Sequence, residues 1–174
     1  MIYSIIIDSN GNGIGSHAYV EEPTSYPSNE VPCTQAQAQN PSLYQVVNGQ
    51  IIESLQAAQS AQIALLQSSA QKAEQAPLTY TTSGGVTATF LMTPHQWTKF
   101  MGAYTKYVVK GDTFPSGYSF FDQNGKPVPV TVADISGIFD AGMAQIEGAM
   151  SKLSSLVAQV EAATTVSDVQ AVNW

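Results

Sequence analysis

The chain has 174 residues, which is enough for one ordinary domain or two small ones. Only 11% of the residues are charged, against roughly 25% in a typical soluble domain, and the net charge is −7. All six basic residues are lysines. Because arginine is the usual bidentate ligand of phosphates and base edges, this composition argues against nucleic acid and against an anionic membrane surface as partners.

The beginning of the chain and the lengths of its apolar runs predict no targeting or membrane segment. Residues 1–11 lack a basic region, and their apolar run is too short for a signal peptide. No stretch approaches about 20 apolar residues, so we expect no membrane insertion. Cys33 is the single cysteine, which excludes an intrachain disulfide. We expect the chain to be cytosolic when it is made.

The first residues have the pattern of a β-hairpin followed by a loop. Residues 2–8 are rich in β-branched and aromatic side chains, and SNGNG at 9–13 is a strong turn signal. A returning strand is predicted at 14–20. Three prolines within residues 23–32 predict an extended surface loop.

A short helix and a second hairpin follow the loop. Thr34 is predicted to cap the helix, with Gln37 in the reciprocal capping-box position, and Pro41 keeps the helix short. Asn48 and Gly49 then predict a tight hairpin turn between strand-like flanks. Residues 1–52 are therefore predicted to form a small N-terminal β-rich module.

Residues 53–77 are predicted to form a connector helix that ends at a proline. Alanine, glutamine and leucine dominate the segment, and they are good helix formers. The apolar stripe is thin and consists of Leu55, Ala58, Leu65, Leu66 and Ala73. Such a stripe serves either a connector that rests lightly on a body or a self-associating coiled coil, and both alternatives stay open.

The next segment predicts two hairpins that flank a helix. Residues 78–91 alternate polar and apolar side chains around a Ser-Gly-Gly turn. Thr93 and Pro94 begin a helix that is predicted to continue to Val109. Asn124 and Gly125 centre a third tight turn, and the prolines after it confine the following strand to a sheet edge.

A long helix is predicted at 132–163, followed by a recapped terminal turn at Thr165. Its apolar stripe includes Phe139, Ile146, Leu153 and Val160 at 3–4 spacing. The stripe is wide enough to predict packing inside a helical layer. The fold class is therefore α+β, with an N-terminal β-hairpin module, a connector helix and, over 78–174, a C-terminal body of helix, hairpin and long helix.

The sequence shows no constellation typical of an enzyme, so we predict no catalytic, cofactor-binding or metal-binding residues and no cofactor. GNGIG at 11–15 lacks the spacing of a dinucleotide-binding loop and precedes a strand. His17 and His95 are the only histidines, and no metal-ligand pair accompanies them. The set of Trp97, Met101, Tyr104, Met143 and Met150 has the spacing of a helical core rather than of a ligand pocket.

Two motifs stand out in the C-terminal half, about residues 88–174. The first is a hairpin motif, D-x-x-G-x-x-V-x-V-T, and the second is a terminal motif that ends in tryptophan. Their positions are Asp122, Gly125, Val128, Val130 and Thr131, then Val160, Ala162, Ala163, Thr165, Asp168, Val169, Ala171, Val172 and Trp174. With these motifs, the C-terminal half resembles a domain of unknown function found in phage and prophage tail proteins (DUF4376-like). The N-terminal stretch 31–54 is also similar to the leaders of such proteins.

The resemblance implies a virion tail protein near the tail fibre, made in the cytoplasm of the host bacterium. We expect a structural protein that binds tail-fibre or baseplate proteins and acts as a homo-oligomer or as a subunit on a symmetric partner. Threefold symmetry, and so a trimer, is the expected form, because tail fibres are typically trimeric. A monomer whose two long helices pack on each other is the alternative. A tail-fibre assembly chaperone is the second function, and a glycan-active tail enzyme is a distant third. The candidate packing and interaction residues are Leu55, Leu65, Leu66, Phe139, Ile146, Leu153, Val160 and Trp174.

Overall fold

The computed structural model describes all residues 1–174 and confirms the predicted α+β class. The chain forms two compact units. Unit 1 contains Met1–Leu66 and Leu156–Trp174, and unit 2 contains Gln67–Ser155. The division into modules 1–52, 53–77 and 78–174 stays a prediction; in the structure, residues 156–174 belong to the same unit as residues 1–66.

Unit 1 begins with a three-stranded antiparallel sheet. Its central strand, β1 (Ile2–Ile7), pairs with β2 (Gly13–Tyr19) on one side and with β3 (Glu30–Cys33) on the other. The predicted first hairpin is confirmed. Asp8 closes its turn, because its carboxylate accepts the backbone N–H groups of Asn10 and Asn12 at 2.8 and 2.9 Å.

The third strand corrects the prediction of a loop throughout 23–32. Glu30, Val31 and Pro32 are paired with β1, and Pro32 lies opposite Ser4. The prolines hid this strand from sequence reasoning, since proline cannot donate to a sheet ladder. An edge strand tolerates it because one of its sides has no partner strand.

A capped helix and a second hairpin complete the N-terminal part of unit 1. Thr34 and Gln37 form the predicted reciprocal capping box of α1 (Gln35–Gln39). A 3₁₀ turn at Pro41–Leu43 leads into β4 (Tyr44–Val47), which pairs with β5 (Gln50–Glu53). Asn48 and Gly49 both have positive φ, at 52° and 79°, as a type I′ turn requires.

The turn of the first sheet and strand β4 of the second hairpin lie close together at Gly11. The Val46 N–H donates to the Gly11 carbonyl at 2.8 Å. A Cβ on Gly11 would lie 2.6 Å from the Val46 carbonyl oxygen, and φ of this glycine is +84°. Glycine is therefore needed here for both space and backbone conformation.

Besides α1, three further helices contribute to unit 1. The 20-residue α2 (Leu55–Glu74) and the 31-residue α4 (Val132–Ala162) each have residues in both units, and α5 (Val166–Ala171) lies wholly in unit 1. Thr165 caps α5 as predicted, through its side chain and the Asp168 N–H. The buried apolar side chains of unit 1 are Ile5, Ala38, Leu66, Val160 and Val169.

Unit 2 is built from two hairpins and two helical segments. β6 (Leu78–Thr81) pairs with β7 (Thr87–Phe90), and β8 (Ser119–Phe121) pairs with β9 (Pro127–Pro129). Between the hairpins, α3 (Pro94–Ala103) continues as a π-helical segment, Tyr104–Val109. Together with α4 these elements enclose a core of Ala88, Phe90, Met92, Phe100, Ala103, Phe120, Val128, Val130, Ile135 and Ile138.

In unit 2, α4 packs against α3 and the π-helical segment through Phe139. Its ring stacks on Tyr104 at 3.9 Å and on Trp97 at 5.6 Å between ring centroids. Gly142, one turn further along α4, makes room for the indole.

Met101 and Met150 are 38% and 54% exposed, so the methionine–aromatic set does not form the single helical core that its spacing suggested.

Asp134 links the start of α4 to the β6–β7 turn. Its carboxylate accepts hydrogen bonds from the Ser83 backbone N–H at 2.6 Å and from the Thr131 hydroxyl at 2.7 Å. Burial raises the pKa of Asp134, but these hydrogen bonds outweigh it, and the pKa lies below its ordinary value. The buried carboxylate is therefore ionised and fixes the first turn of the long helix.

We expect Gly142→Ala to lower the free energy of unfolding by about 1–3 kcal/mol, the usual cost of overpacking. The new Cβ would lie 2.5 Å from Cζ3 of Trp97 and 2.7 Å from Cε of Met92. Gly148→Ala is the matched control on the same helix, because a Cβ there meets no atom within 4 Å. The control should raise stability by up to about 1 kcal/mol through helix propensity. Equal effects in denaturant unfolding would contradict this packing.

Candidate interaction site

The eight predicted packing and interaction residues do not form one continuous seam. Leu66 and Val160 are fully buried in unit 1, whereas Leu65, next to Leu66, is 63% exposed. The remaining five are half-buried: Leu55 and Trp174 in unit 1, and Phe139, Ile146 and Leu153 in unit 2. Leu65 is thus the predicted residue with the most surface available to a partner, and Leu66 and Val160 serve the core.

Glutamine side chains donate hydrogen bonds to the carbonyls at the ends of the helices. This role of the glutamines was not predicted from the sequence. The last carbonyls of a helix lack intrahelical partners. In unit 1, the Gln59 amide of α2 donates to the Val160 and Ala163 carbonyls at the end of α4, at 3.1 and 3.4 Å. Gln62 donates to the Val172 carbonyl just after α5, at 2.5 Å.

In unit 2 the roles of the two helices are exchanged, because a glutamine of α4 binds the end of α2. The Gln145 amide of α4 donates to the carbonyls of Ala73, Glu74 and Ala76 at the end of α2, at 2.9, 3.0 and 2.9 Å. An amide NH₂ has two hydrogens, so the three contacts share them. The abundance of helical glutamine was visible in the sequence, but which glutamine reaches which carbonyl depends on contacts between residues about 70 positions apart.

An apolar groove of about 330 Å³ lies in unit 1 between the second hairpin and the helices. Its walls are formed by residues of the 3₁₀ turn, the end of β5, α2 and α5. Leu43 and Leu65, which are 41% and 63% exposed, border it, and Glu53 is its only charged residue. The small side chains on α2 that keep the groove open are Ala58 and Ala61.

In the N-terminal sheet, Nδ1 of His17 lies 2.8 Å from Oε1 of Glu30, and the contact is an ion pair when the imidazole is protonated. Glu30 is buried and also accepts the hydroxyls of Ser4 and Tyr19, both at 2.6 Å. Hydrogen bonding by Ser4, then by Tyr19 and His17, lowers the pKa of Glu30 against the effect of burial. The same contact with Glu30 raises the pKa of Tyr19. An ionised carboxylate that accepts three hydrogen bonds is suited to holding three strands together rather than to transferring protons.

No group of three or more histidine, cysteine or acidic side chains that could hold a metal ion occurs in the structure. None of the helices combines the length and the hydropathy that a membrane span needs.

Comparison with known families assigns most of the chain. The sequence pattern of a domain of unknown function, DUF4376, matches residues 57–173. The chain belongs to this family. No curated protein and no solved structure matches the chain.

The DUF4376 match begins inside α2, earlier than the resemblance over 88–174 indicated, and it contains all three capping glutamines. Strands β1–β5 precede it. The groove is therefore formed jointly: Leu43 and Glu53 come from the part before the DUF4376 domain, and Leu65 and Val166 come from the domain itself.

We expect Gln145→Met to lower the free energy of unfolding by about 1–3 kcal/mol, because three helix-end carbonyls lose their donor. Methionine has a similar length and helix propensity but donates no hydrogen bond. Gln159→Met is the control, since this glutamine is exposed on the same helix. Denaturant unfolding measures both, and an equal loss in the two variants would show that the Gln145 bonds contribute nothing.

The stability contribution of Glu30 should depend on pH. Its pKa in the folded chain lies below the ordinary value of 4.5. The ionised form is therefore stabilised by folding, so its contribution is complete above that value and is lost as pH falls through the lowered pKa. The difference in unfolding free energy between the native chain and Glu30→Gln should shrink as pH falls from about 6 to about 3. Glu161→Gln, at an exposed position of α4, controls for the loss of one charge. A difference that stays constant with pH would contradict the assignment.

Proposed function

We propose that this chain is a structural protein of a bacteriophage tail, present in the virion and attached to the baseplate or the tail fibre. The similarity of the hairpin and terminal motifs to phage tail proteins supports the proposal, as does the match to DUF4376 over residues 57–173. The chain acts by binding other proteins, not as an enzyme, and assembles as a homo-oligomer, for which a trimer matches the symmetry of a fibre.

The groove in unit 1 is the observation that carries this proposal. It exposes Leu43 and Leu65 in a chain of which only 11% of residues are charged. Covering such a surface removes few ions from water, so a protein partner gains apolar contact at a low desolvation cost. Solvent-exposed apolar clefts with a polar rim are typical of interaction sites.

The occupant that fits the groove is a segment of a tail-fibre or baseplate protein with apolar side chains and a basic residue. The apolar side chains would lie between Leu43 and Leu65. The basic residue would face Glu53, the only charged residue of the groove. Complementary charge at the rim selects the partner more than it adds affinity.

A substitution that fills the groove should reduce incorporation into the virion. Ala61 lines the groove on α2, so Ala61→Arg places a charge where the partner would bring apolar side chains. Ala64→Arg is the matched control, because Ala64 is exposed on the same helix and does not line the groove. In particles purified from a host that carries each variant, quantitative mass spectrometry should find native levels for Ala64→Arg. Ala61→Arg should be reduced about tenfold or more, as a loss of at least 1.4 kcal/mol implies.

Two outcomes contradict parts of the proposal separately. Equal incorporation of both variants would show that the groove is not the contact. Absence of the native chain from purified particles would overturn the structural role, and its capture with fibre protein from the lysate would then favour the assembly chaperone.

A further inference from the structure

A second concave surface lies in unit 2, along α3 and the π-helical segment, and its charge is opposite to that of the chain. The cleft has a volume of about 390 Å³, within the usual range of small-molecule sites. Lys99 and Lys106 line it, and no aspartate or glutamate does. In a chain with 13 acidic and six basic residues, this is a local reversal of charge.

Neither lysine is neutralised by a carboxylate. The contact between His17 and Glu30 lies in unit 1 and involves neither of these lysines. Lys106 instead places its Nζ over the Tyr107 ring, 5.3 Å from the centroid. A cation held this way keeps its charge available to an anion.

Aromatic side chains form the other wall of the cleft. Phe121 lines the cleft at the end of β8 and is 60% exposed, so its ring is accessible to a ligand. Tyr107 and Tyr118 also line the cleft, and their rings pack edge-to-face at 5.4 Å. Burial raises the pKa of the Tyr118 hydroxyl, which therefore stays a neutral donor and acceptor.

The backbone at this place is also unusual. Tyr104–Val109 is π-helical, and the Lys110 N–H donates to the Thr105 carbonyl, five residues back, at 3.0 Å. Such segments are rare and occur often at functional sites. Within this segment the Tyr107 ring packs on Phe114, with 5.1 Å between ring centroids, and the preceding residue, Lys106, lines the cleft.

We propose that this cleft binds an anionic saccharide, a sugar unit that carries a carboxylate or a phosphate. The two lysines would hold the acidic group, the exposed Phe121 ring would face the apolar side of the sugar ring, and the tyrosine hydroxyls would bind its hydroxyl groups. A planar aromatic anion fits less well, because polar groups are distributed along the cleft beside the aromatic wall. The proposal does not depend on the phage-tail function.

Gly102 provides a direct test of the site. It lines the cleft, and a Cβ added there meets no atom within 4 Å, so a large side chain at this position fills the cleft without displacing the core. Gly148 on α4 has the same open surroundings and does not line the cleft. Gly102→Phe and Gly148→Phe are therefore a matched pair.

The experiment titrates the full chain with glucuronate, N-acetylneuraminate and glucose 6-phosphate, with neutral glucose as the control, and follows backbone amide NMR shifts. At least one of the acidic sugars should bind saturably below about 10 mM, and glucose about tenfold more weakly or not at all. The shifts should centre on Gly102, Lys106 and Ser119.

Gly102→Phe should abolish binding, Gly148→Phe should retain it, and Lys106→Met should weaken it about tenfold, as loss of a charge-assisted contact implies. Tighter binding of glucuronate than of glucose 6-phosphate would indicate recognition of a carboxylate, and the reverse order would indicate recognition of a phosphate.

Three results would overturn the proposal. These are no saturable binding of any acidic sugar, binding of glucose as tight as that of its acidic counterparts, and undiminished binding by Gly102→Phe. Far-ultraviolet circular dichroism and the unfolding midpoint of each variant verify that a loss of binding is not a loss of fold.

Discussion

The structure depends on satisfying the carbonyl groups at the ends of its helices. A helix end exposes up to four carbonyls without partners, and lysine or arginine near the end commonly helps to stabilise them. This chain has six lysines and no arginine, and α4 and α5 have no basic residue in the last turn. The side-chain amides of Gln59 and Gln62 donate to these carbonyls instead. At the end of α2, where Lys72 is in the last turn, the Gln145 amide donates to the carbonyls as well. These glutamines lie on other helices, so each bond that closes a helix also fixes the position of a second one.

The buried acidic side chains are also stabilised by hydrogen bonds from neighbouring side chains and backbone N–H groups. Asp134 and Glu30 are the buried acidic side chains, and each accepts several hydrogen bonds that favour its ionised form. No buried side-chain nitrogen or oxygen lacks a partner. A buried charge that was left unpaired would cost several kcal/mol. Hydroxyl and backbone N–H donors meet this cost at Asp134, and hydroxyl groups together with the His17 ring meet it at Glu30.

The two concave surfaces differ in the chemistry they offer. The groove of unit 1 is apolar with one carboxylate, and it combines residues from before and within the DUF4376 domain. The cleft of unit 2 is cationic and aromatic and lies wholly within that domain. An apolar groove with small alanine side chains suits a polypeptide partner, whereas lysines beside tyrosines suit a small polar anion. A protein anchored through the first surface would leave the second to a different ligand.

The sequence by itself determined the features that depend on neighbouring residues. The Asn48–Gly49 turn, the Thr34–Gln37 capping box and the extent of α4 follow from local conformational preference, and the structure has them where the sequence predicted them. The helix α2 is also present, but it is shorter at both ends than the predicted 53–77. Tertiary structure decided which surfaces are covered. It made Pro32 part of an edge strand, buried Leu66 while exposing Leu65, and brought Gln145 to the end of α2. It also placed Lys99, Lys106 and Phe121 around one cleft. These outcomes depend on pairings between residues that are distant along the chain, and local propensity does not encode which distant partner a side chain meets.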